Sequence, residues 1–359
     1  MRKGNRSFLK IFGPPGMEVM ETVAREPSLS AYRPDAASKL DIFCLRIDAD
    51  EYTPSSFEKY YPLFRKYGKA ISIFFSVNSF KNAPGEIERC RETGIETASH
   101  GFYHYTYSDQ ASNLYNIRKA DEFFRGMGIR PRGFVAPTGR WTPALSMALE
   151  EAGYSYSSEF SYDYMGYPHY PVWGKERSKV LQIPVFPVAP ELFWQGGGRA
   201  DTAAVKEYYH SAIDVMTEYE IPVIIYAHTA PGMPQIPDLL DGICEYALER
   251  KKLRPVSMEG IYDSWHDKVP VPFSSKRTFD LRGAPGEPFV GSDARINAGK
   301  RIKRYVKTRI DYETVTPAAE LKCGKVRKMV KLLARRLFER YQCREDTPET
   351  AGENKKGGR

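Results

Sequence analysis

From Leu40 to Ala227 short apolar runs rich in Ile, Val and Phe alternate with stretches whose apolar residues recur at helical spacing. The runs Asp41 to Ile47, Ala70 to Val77, Ile95 to Ser99, Gly133 to Ala136, Tyr154 to Ser158, Val180 to Val188 and Pro222 to Ala227 predict seven strands. Helices are predicted between most of them, including Ser55 to Tyr67, Asp109 to Gly126, Pro143 to Ala152, Thr202 to Tyr219 and Pro237 to Arg250. Such alternation predicts an α/β fold of parallel strands joined by helical crossovers. Polar residues decide between an open sheet and a barrel. Asp48 and Asp50, His100, Thr138 with Arg140, Glu159, and His228 each follow the carboxyl end of a different run. A β/α barrel gathers those ends at one mouth, where its chemistry is built, whereas an open sheet spreads them along a line. An irregular barrel over residues 39–268 is therefore expected.

Outside that span the rhythm fails. Residues 1–38 carry turn formers without a period and read as an irregular arm, and 269–318 are rich in Gly, Pro and Ser, as in a linker or small appendage. Residues 319–343 read as a basic amphipathic helix, with Val326, Met329, Val330, Leu333, Leu337 and Tyr341 along one face. Residues 344–359 read as a disordered tail. Of 53 Lys and Arg, 22 fall within residues 271–359, against 11 of the 45 Asp and Glu, so the basic excess belongs to the tail. A basic helix of this kind either lies on an anionic membrane surface or packs on the barrel with its charges in water. Nucleic acid is a poor partner for it, because aromatic residues for base stacking are not interleaved with the charges.

No apolar stretch approaches the roughly 18 residues of a membrane span, and the basic start is not followed by a signal-peptide core, so a cytoplasmic protein is expected. Cys44, Cys90, Cys244, Cys323 and Cys343 are odd in number and scattered, which predicts reduced thiols rather than a disulfide framework. Nothing in the sequence sets an oligomeric state.

Two carboxylates and two imidazoles at the ends of buried runs suit a divalent metal beside a carboxylate base. In Ser99-His-Gly-Phe-Tyr-His, a short helical turn after the strand would put His100 and His104 on one face, within reach of one ion. Asp50, from a neighbouring strand end, supplies a third ligand and leaves a position open for water, as in a catalytic zinc site. Asp48, two residues earlier, shares a face with Asp50 in extended geometry, so one can bind the metal while the other takes a proton. A pairing of Asp48 with Arg46 is the plainer alternative. His169, His210 and His266 read as structural or surface residues.

The segments Leu45-Arg-Ile-Asp-Ala-Asp, Ser72-Ile-Phe-Phe-Ser-Val, His100-Gly-Phe-Tyr-His, Gly133-Phe-Val-Ala-Pro-Thr-Gly-Arg, Gln182-Ile-Pro-Val and Ile225-Tyr-Ala-His stand in an order that resembles the polysaccharide deacetylases of the chitooligosaccharide-deacetylase superfamily, carbohydrate esterase family 4-like. The resemblance spans roughly residues 40–265. Its opening motif is closest to the cytoplasmic branch that includes the deformylase of undecaprenyl-phosphate-linked formamido-arabinose. It implies a distorted (β/α)7 barrel and hydrolysis of an N-acyl group, acetyl or formyl, on an amino sugar of a glycan or lipid-linked precursor. Carried across by motif, Asp48 is the base, Asp50, His100 and His104 hold a divalent metal with Zn2+ the default, and His228 is the acid. A backbone amide near Tyr105 serves the oxyanion. Val135 stands where many members place a base-orienting arginine, so Arg140 or Arg46 is expected to supply that charge. Glu159 stands where an aspartate often holds the histidine, with Asp163 a second candidate. Trp141, ahead of Trp173 and Trp194, is the aromatic expected to touch sugar, together with Tyr105 and Pro137 of the motif loops. Two other readings stay open: a sugar-binding barrel that has lost catalysis, and an amidohydrolase acting on a cyclic imide or ureide.

Overall fold

The computed structural model describes residues 41–159, 168, 170–173, 176–186, 188–194, 199–218, 222–267 and 296–297. The arm at 1–38, the amphipathic helix at 319–343, the tail at 344–359, and Asp163 and His169 lie outside the described residues, as does most of 269–318.

Seven parallel strands form the barrel wall: β1 (Ile42–Ala49), β2 (Ile71–Phe75), β3 (Glu96–Ser99), β4 (Gly133–Phe134), β5 (Tyr156–Ser157), β6 (Leu181–Gln182) and β7 (Val223–His228). Their order is β7-β1-β2-β3-β4-β5-β6, and a short strand, β8 (Arg254–Pro255), pairs with the start of β1. All eight residues of β1 and all five of β2 are buried. Strands covered on both faces read as continuous apolar runs, which is why the sequence displayed them. No ladder joins β6 to β7; instead the Phe186 N–H donates to the Ile224 carbonyl at 2.8 Å, so the ring is distorted there. A distorted (β/α)7 barrel results, as expected.

Helices α1 (Tyr61–Tyr67), α2 (Pro84–Arg91), α3 (Gln110–Gly126), α4 (Pro143–Ala152), α5 (Thr202–Glu218), α6 (Ile236–Glu245) and α7 (Met258–Trp265) accompany the strands. Asp109 caps α3 by accepting the Ser112 N–H at 2.8 Å, and Thr142 caps α4 by accepting that of Leu145 at 3.1 Å. Some expected elements differ. The span Ser55 to Tyr67 breaks into Pro54–Phe57, a 3₁₀ turn at Glu58–Tyr60, and α1, because Pro62 has no N–H to continue the ladder. The run from Val180 forms a strand only at Leu181–Gln182 and resumes as a single bridge at Val185, with Pro184 offering no N–H on the side where Phe186 bonds Ile224. Helix α6 passes into a π turn at Tyr246–Arg250, and α2, started by Pro84, was not foreseen.

At the amino ends of the strands Glu96 gathers three donors. Its Oε2 accepts the Ser72 hydroxyl at 2.6 Å and the Glu259 N–H at 2.9 Å, while its other oxygen accepts the Tyr156 phenol. Ser72 in turn accepts the Met258 N–H at 2.8 Å. The first turn of α7 is thereby fastened across the barrel floor, where its exposed N–H groups and dipole favour a carboxylate. Gly133 allows this, since a Cβ there would lie 2.1 Å from the Tyr156 ring.

Candidate metal and acid-base site

Register places the chemistry at the opposite end. Asp48 is paired across the sheet with His228 on one side and Phe74 on the other, so the three side chains share the inner face. Beyond the strand tips the ladder continues through Ser76 N–H to Ala49 O at 3.1 Å, His100 N–H to Phe75 O at 3.0 Å, and Thr229 N–H to Asp48 O at 3.0 Å. These bonds fix the backbones from which Asp50 and His100 project.

Asp50 Oδ1 lies 3.1 Å from His100 Nε2 and 3.2 Å from His104 Nε2. Among the described residues these three form the group whose ligand atoms, all within 4.8 Å of one another, could hold a metal ion. His100 is buried, and its Nδ1 lies 2.6 Å from the Val135 carbonyl. A carbonyl only accepts, so Nδ1 carries the proton and Nε2 of the neutral ring presents a lone pair to Asp50. Asp50 Oδ1 is itself buried and, among the described residues, makes no hydrogen bond. Lone pairs facing one another at these distances repel unless a cation lies among them, so the residues fit a divalent ion. The pair His100 and His104 is not carried by a helical turn, as expected from spacing. Residues 102–104 form a bend that follows Gly101 at φ +76°, which brings the ring centroids to 4.9 Å.

Asp48 meets Arg46 in a two-pronged ion pair: Nε donates to Oδ1 at 2.9 Å and one terminal nitrogen to Oδ2 at 2.6 Å. The remaining terminal nitrogen donates to the Ser158 carbonyl at 2.5 Å and hydroxyl at 3.0 Å, and the Tyr226 ring centroid stands 5.0 Å from the guanidinium carbon. Planar forks match carboxylates in this way, so Arg46 fixes the orientation of Asp48. Arg140 does not take that part: it is exposed in the loop after β4, and the charge beside Asp48 is supplied from within β1.

His228 Nε2 lies 3.9 Å from Asp48 Oδ2, too far for a direct hydrogen bond. Its Nδ1 donates to Glu191, a carboxylate only 1% exposed at its side chain, whose Oε2 has no hydrogen-bond partner among the described residues. Burial opposes a charged imidazole here, but Glu191 and then Asp48 outweigh it and push His228 up to about 9. Glu159 is not the residue that holds His228. It is buried beneath β4 to β6, where Oε1 accepts the Ala136 N–H at 2.8 Å and Oε2 accepts the Gln182 amide at 2.7 Å and the Ser157 hydroxyl. Burial, only partly offset by these donors, raises its carboxyl. Glu191 was missed in the sequence because only the fold brings it to His228, 37 residues away; a lone acid inside Val188-Ala-Pro-Glu-Leu-Phe is the signal that could have found it.

The remaining candidates line the mouth loops. The Tyr105 N–H donates to the Tyr103 carbonyl at 2.7 Å, so the expected oxyanion donor is already engaged in a tight turn. Pro137 is buried and its carbonyl accepts the Thr106 hydroxyl at 2.9 Å; Trp141 is half-buried just before the α4 cap. Between them Thr138 and Gly139 both have positive φ, 65° and 62°, a conformation that a threonine adopts only under constraint from its surroundings.

The polysaccharide deacetylase family profile matches residues 43–157. A Mycobacterium smegmatis structure assigned as a polysaccharide deacetylase is 16% identical, with a TM-score of 0.58 over 68% of this chain and 97% of that one. A Pseudomonas aeruginosa PAO1 structure with the same assignment is 19% identical, with a TM-score of 0.54 over 66% and 94%. The PuuE allantoinase structure is 19% identical, with a TM-score of 0.51 over 66% and 94%. No curated protein matches the chain. At these identities the structures establish a shared barrel fold, which complements the family match made by sequence. This chain is therefore similar to the polysaccharide deacetylase family over residues 43–157, and its barrel is one that proteins assigned to that family also adopt.

Proposed function

We propose that the protein is a metal-dependent hydrolase that removes an N-acetyl or N-formyl group from an amino sugar of a glycan or lipid-linked glycan precursor. The observation that carries this reading is the convergence of three separate functions at one barrel mouth: a metal-fitting triad, a carboxylate held by a guanidinium, and an imidazole held by a buried carboxylate. A divalent ion held by Asp50, His100 and His104 would polarise the acyl oxygen and bring the pKa of a bound water from 15.7 towards about 7. Asp48 accepts a proton from the attacking water; Arg46 uses one lone pair on each of its oxygens and leaves others free. His228 donates its Nε2 proton to the departing nitrogen, which would otherwise leave as an unstable anion. Glu191 keeps the opposite nitrogen protonated and the ring aimed. Presence of the full set argues against a barrel reduced to sugar binding.

The finer placement, next to the deformylase of undecaprenyl-phosphate-linked formamido-arabinose, draws its support from the Arg46-Ile-Asp-Ala-Asp opening, in which the base and its orienting arginine share one strand. The test is release of acetate or formate by Zn2+-loaded protein from free and lipid-linked N-acylated amino sugars, with a cyclic ureide in parallel. Acyl release from a sugar supports the proposal. Ring opening alone, or sugar binding without release by fully loaded protein, overturns it.

A further inference from the structure

Asn113 and Asn116 lie on the buried side of α3, each 2% exposed. A helix interior disfavours asparagine, by up to about 0.7 kcal/mol relative to alanine, and a buried amide is costly unless its hydrogen bonds are made. Both amides are used on the segment that carries the histidine pair. Asn116 Oδ1 accepts the Tyr103 N–H at 2.7 Å, and its Nδ2 donates to the Tyr103 carbonyl at 3.0 Å and the Tyr105 carbonyl at 3.1 Å. One side chain therefore holds the backbone on both sides of His104. Asn113, one turn earlier, makes an equal number of bonds further along: it accepts the Tyr107 N–H at 2.9 Å and donates to the Tyr107 and Asp109 carbonyls at 3.1 and 2.8 Å.

His104 depends on such support more than His100 does. Its side chain is 36% exposed and sits in a bend, so its position follows the backbone, whereas His100 is enclosed and tied to Val135. Gly101 fits the same arrangement, because a Cβ there would stand 3.0 Å from Asn116 Nδ2.

We propose that Asn116 is the positioning residue for the metal ligand His104 and sets the affinity of the site, while Asn113 closes the loop without reaching the metal. This rests on the reading of Asp50, His100 and His104 as ligands. The test is Zn2+ affinity by chelator competition, with the visible absorption of Co2+-loaded protein, on the full chain. Asn116→Ala should bind Zn2+ about 10–100-fold more weakly and alter the Co2+ bands, the usual consequence of removing a group that orients a ligand. Asn113→Ala, which loses the same number of bonds from the same helix, should lower thermal stability comparably and leave Zn2+ affinity at the wild-type value. In a His104→Ala background, Asn116→Ala should weaken binding no further. Unchanged affinity in Asn116→Ala, equal losses in both asparagine variants, or additive losses with His104→Ala would each overturn the proposal. If Asn116→Ala does not fold, Asn116→Asp keeps the bond to the Tyr103 N–H and loses the hold on Tyr105; wild-type affinity in that variant is then the refuting result. Wild type that takes up no Zn2+ defeats the ligand reading itself, whereas tight binding by wild type and Asn116→Ala alike defeats only the role of Asn116.

Discussion

Replacing Arg46 by methionine tests whether the interior of the barrel is organised around the Arg46 and Asp48 pair. Both side chains are 4% exposed, and the guanidinium makes four hydrogen bonds: two to Asp48, at 2.9 and 2.6 Å, and two to Ser158, at 2.5 and 3.0 Å. Methionine fills much of the same space and makes none of them. Asp48 is left as a buried carboxylate without its counter-charge, a change that costs about 3–5 kcal/mol. That is a large part of the roughly 5–15 kcal/mol that holds a domain together, so the variant should fold with a clearly lower urea midpoint. The double variant Arg46→Met with Asp48→Leu removes both charges, and replacing a buried pair by apolar groups is often neutral or stabilising. We therefore expect its midpoint to return most of the way to wild type, while turnover stays absent. Urea titrations of metal-free wild type, both single variants and the double variant give the coupling energy directly. A loss below about 1 kcal/mol in Arg46→Met, or losses that simply add in the double variant, would refute the claim that these residues act as a unit.

Metal removal should abolish turnover and Zn2+ or Co2+ restore it; Asp48→Asn should keep metal and lose turnover, and His104→Ala should bind metal far more weakly, though measurably, and lose turnover, as measured by metal affinity beside product release. Glu191→Gln should lower kcat about 10²–10⁴-fold, the range of general acid catalysis, and move the alkaline limb of the pH profile downward. Glu159→Gln should leave that limb in place and act chiefly on stability, and identical profiles for the two variants would undo their separate assignments. His228 is pushed up to about 9 in the folded protein from 6.5, so its contribution to stability is fully present below pH 6.5 and is lost as pH rises through about 9. Urea midpoints of metal-free protein across that window should show the fall, and Glu191→Gln should flatten it.

The barrel was legible because its central strands β1 and β2 are buried along their whole length and stand in apolar runs, and because many of the polar residues of the site stand at strand tips. The triad was legible for the same reason: Asp50 and His100 directly follow the strands that aim them. Glu191 and Asn116 were not, because their roles depend on contacts across 37 residues and with a loop of no regular structure. Glu159 misled because its place after a strand is the same whether its carboxylate faces the mouth or, as here, the bonds between Ala136, Ser157 and Gln182. Proline explains the shortened strand near Pro184 and the interrupted helix at Pro62, features that apolar periodicity alone passes over.

With the guanidinium, the proposed base and one proposed ligand drawn from the five residues Arg46 to Asp50, a single stretch of chain brings its own electrostatic scaffold. The turn after β4 keeps one such duty, the Val135 carbonyl that meets His100 Nδ1, and is released from the rest. Residues 138–141 can change length and composition while the proton acceptor keeps its partner, which makes that turn the natural place to retune substrate preference by laboratory evolution.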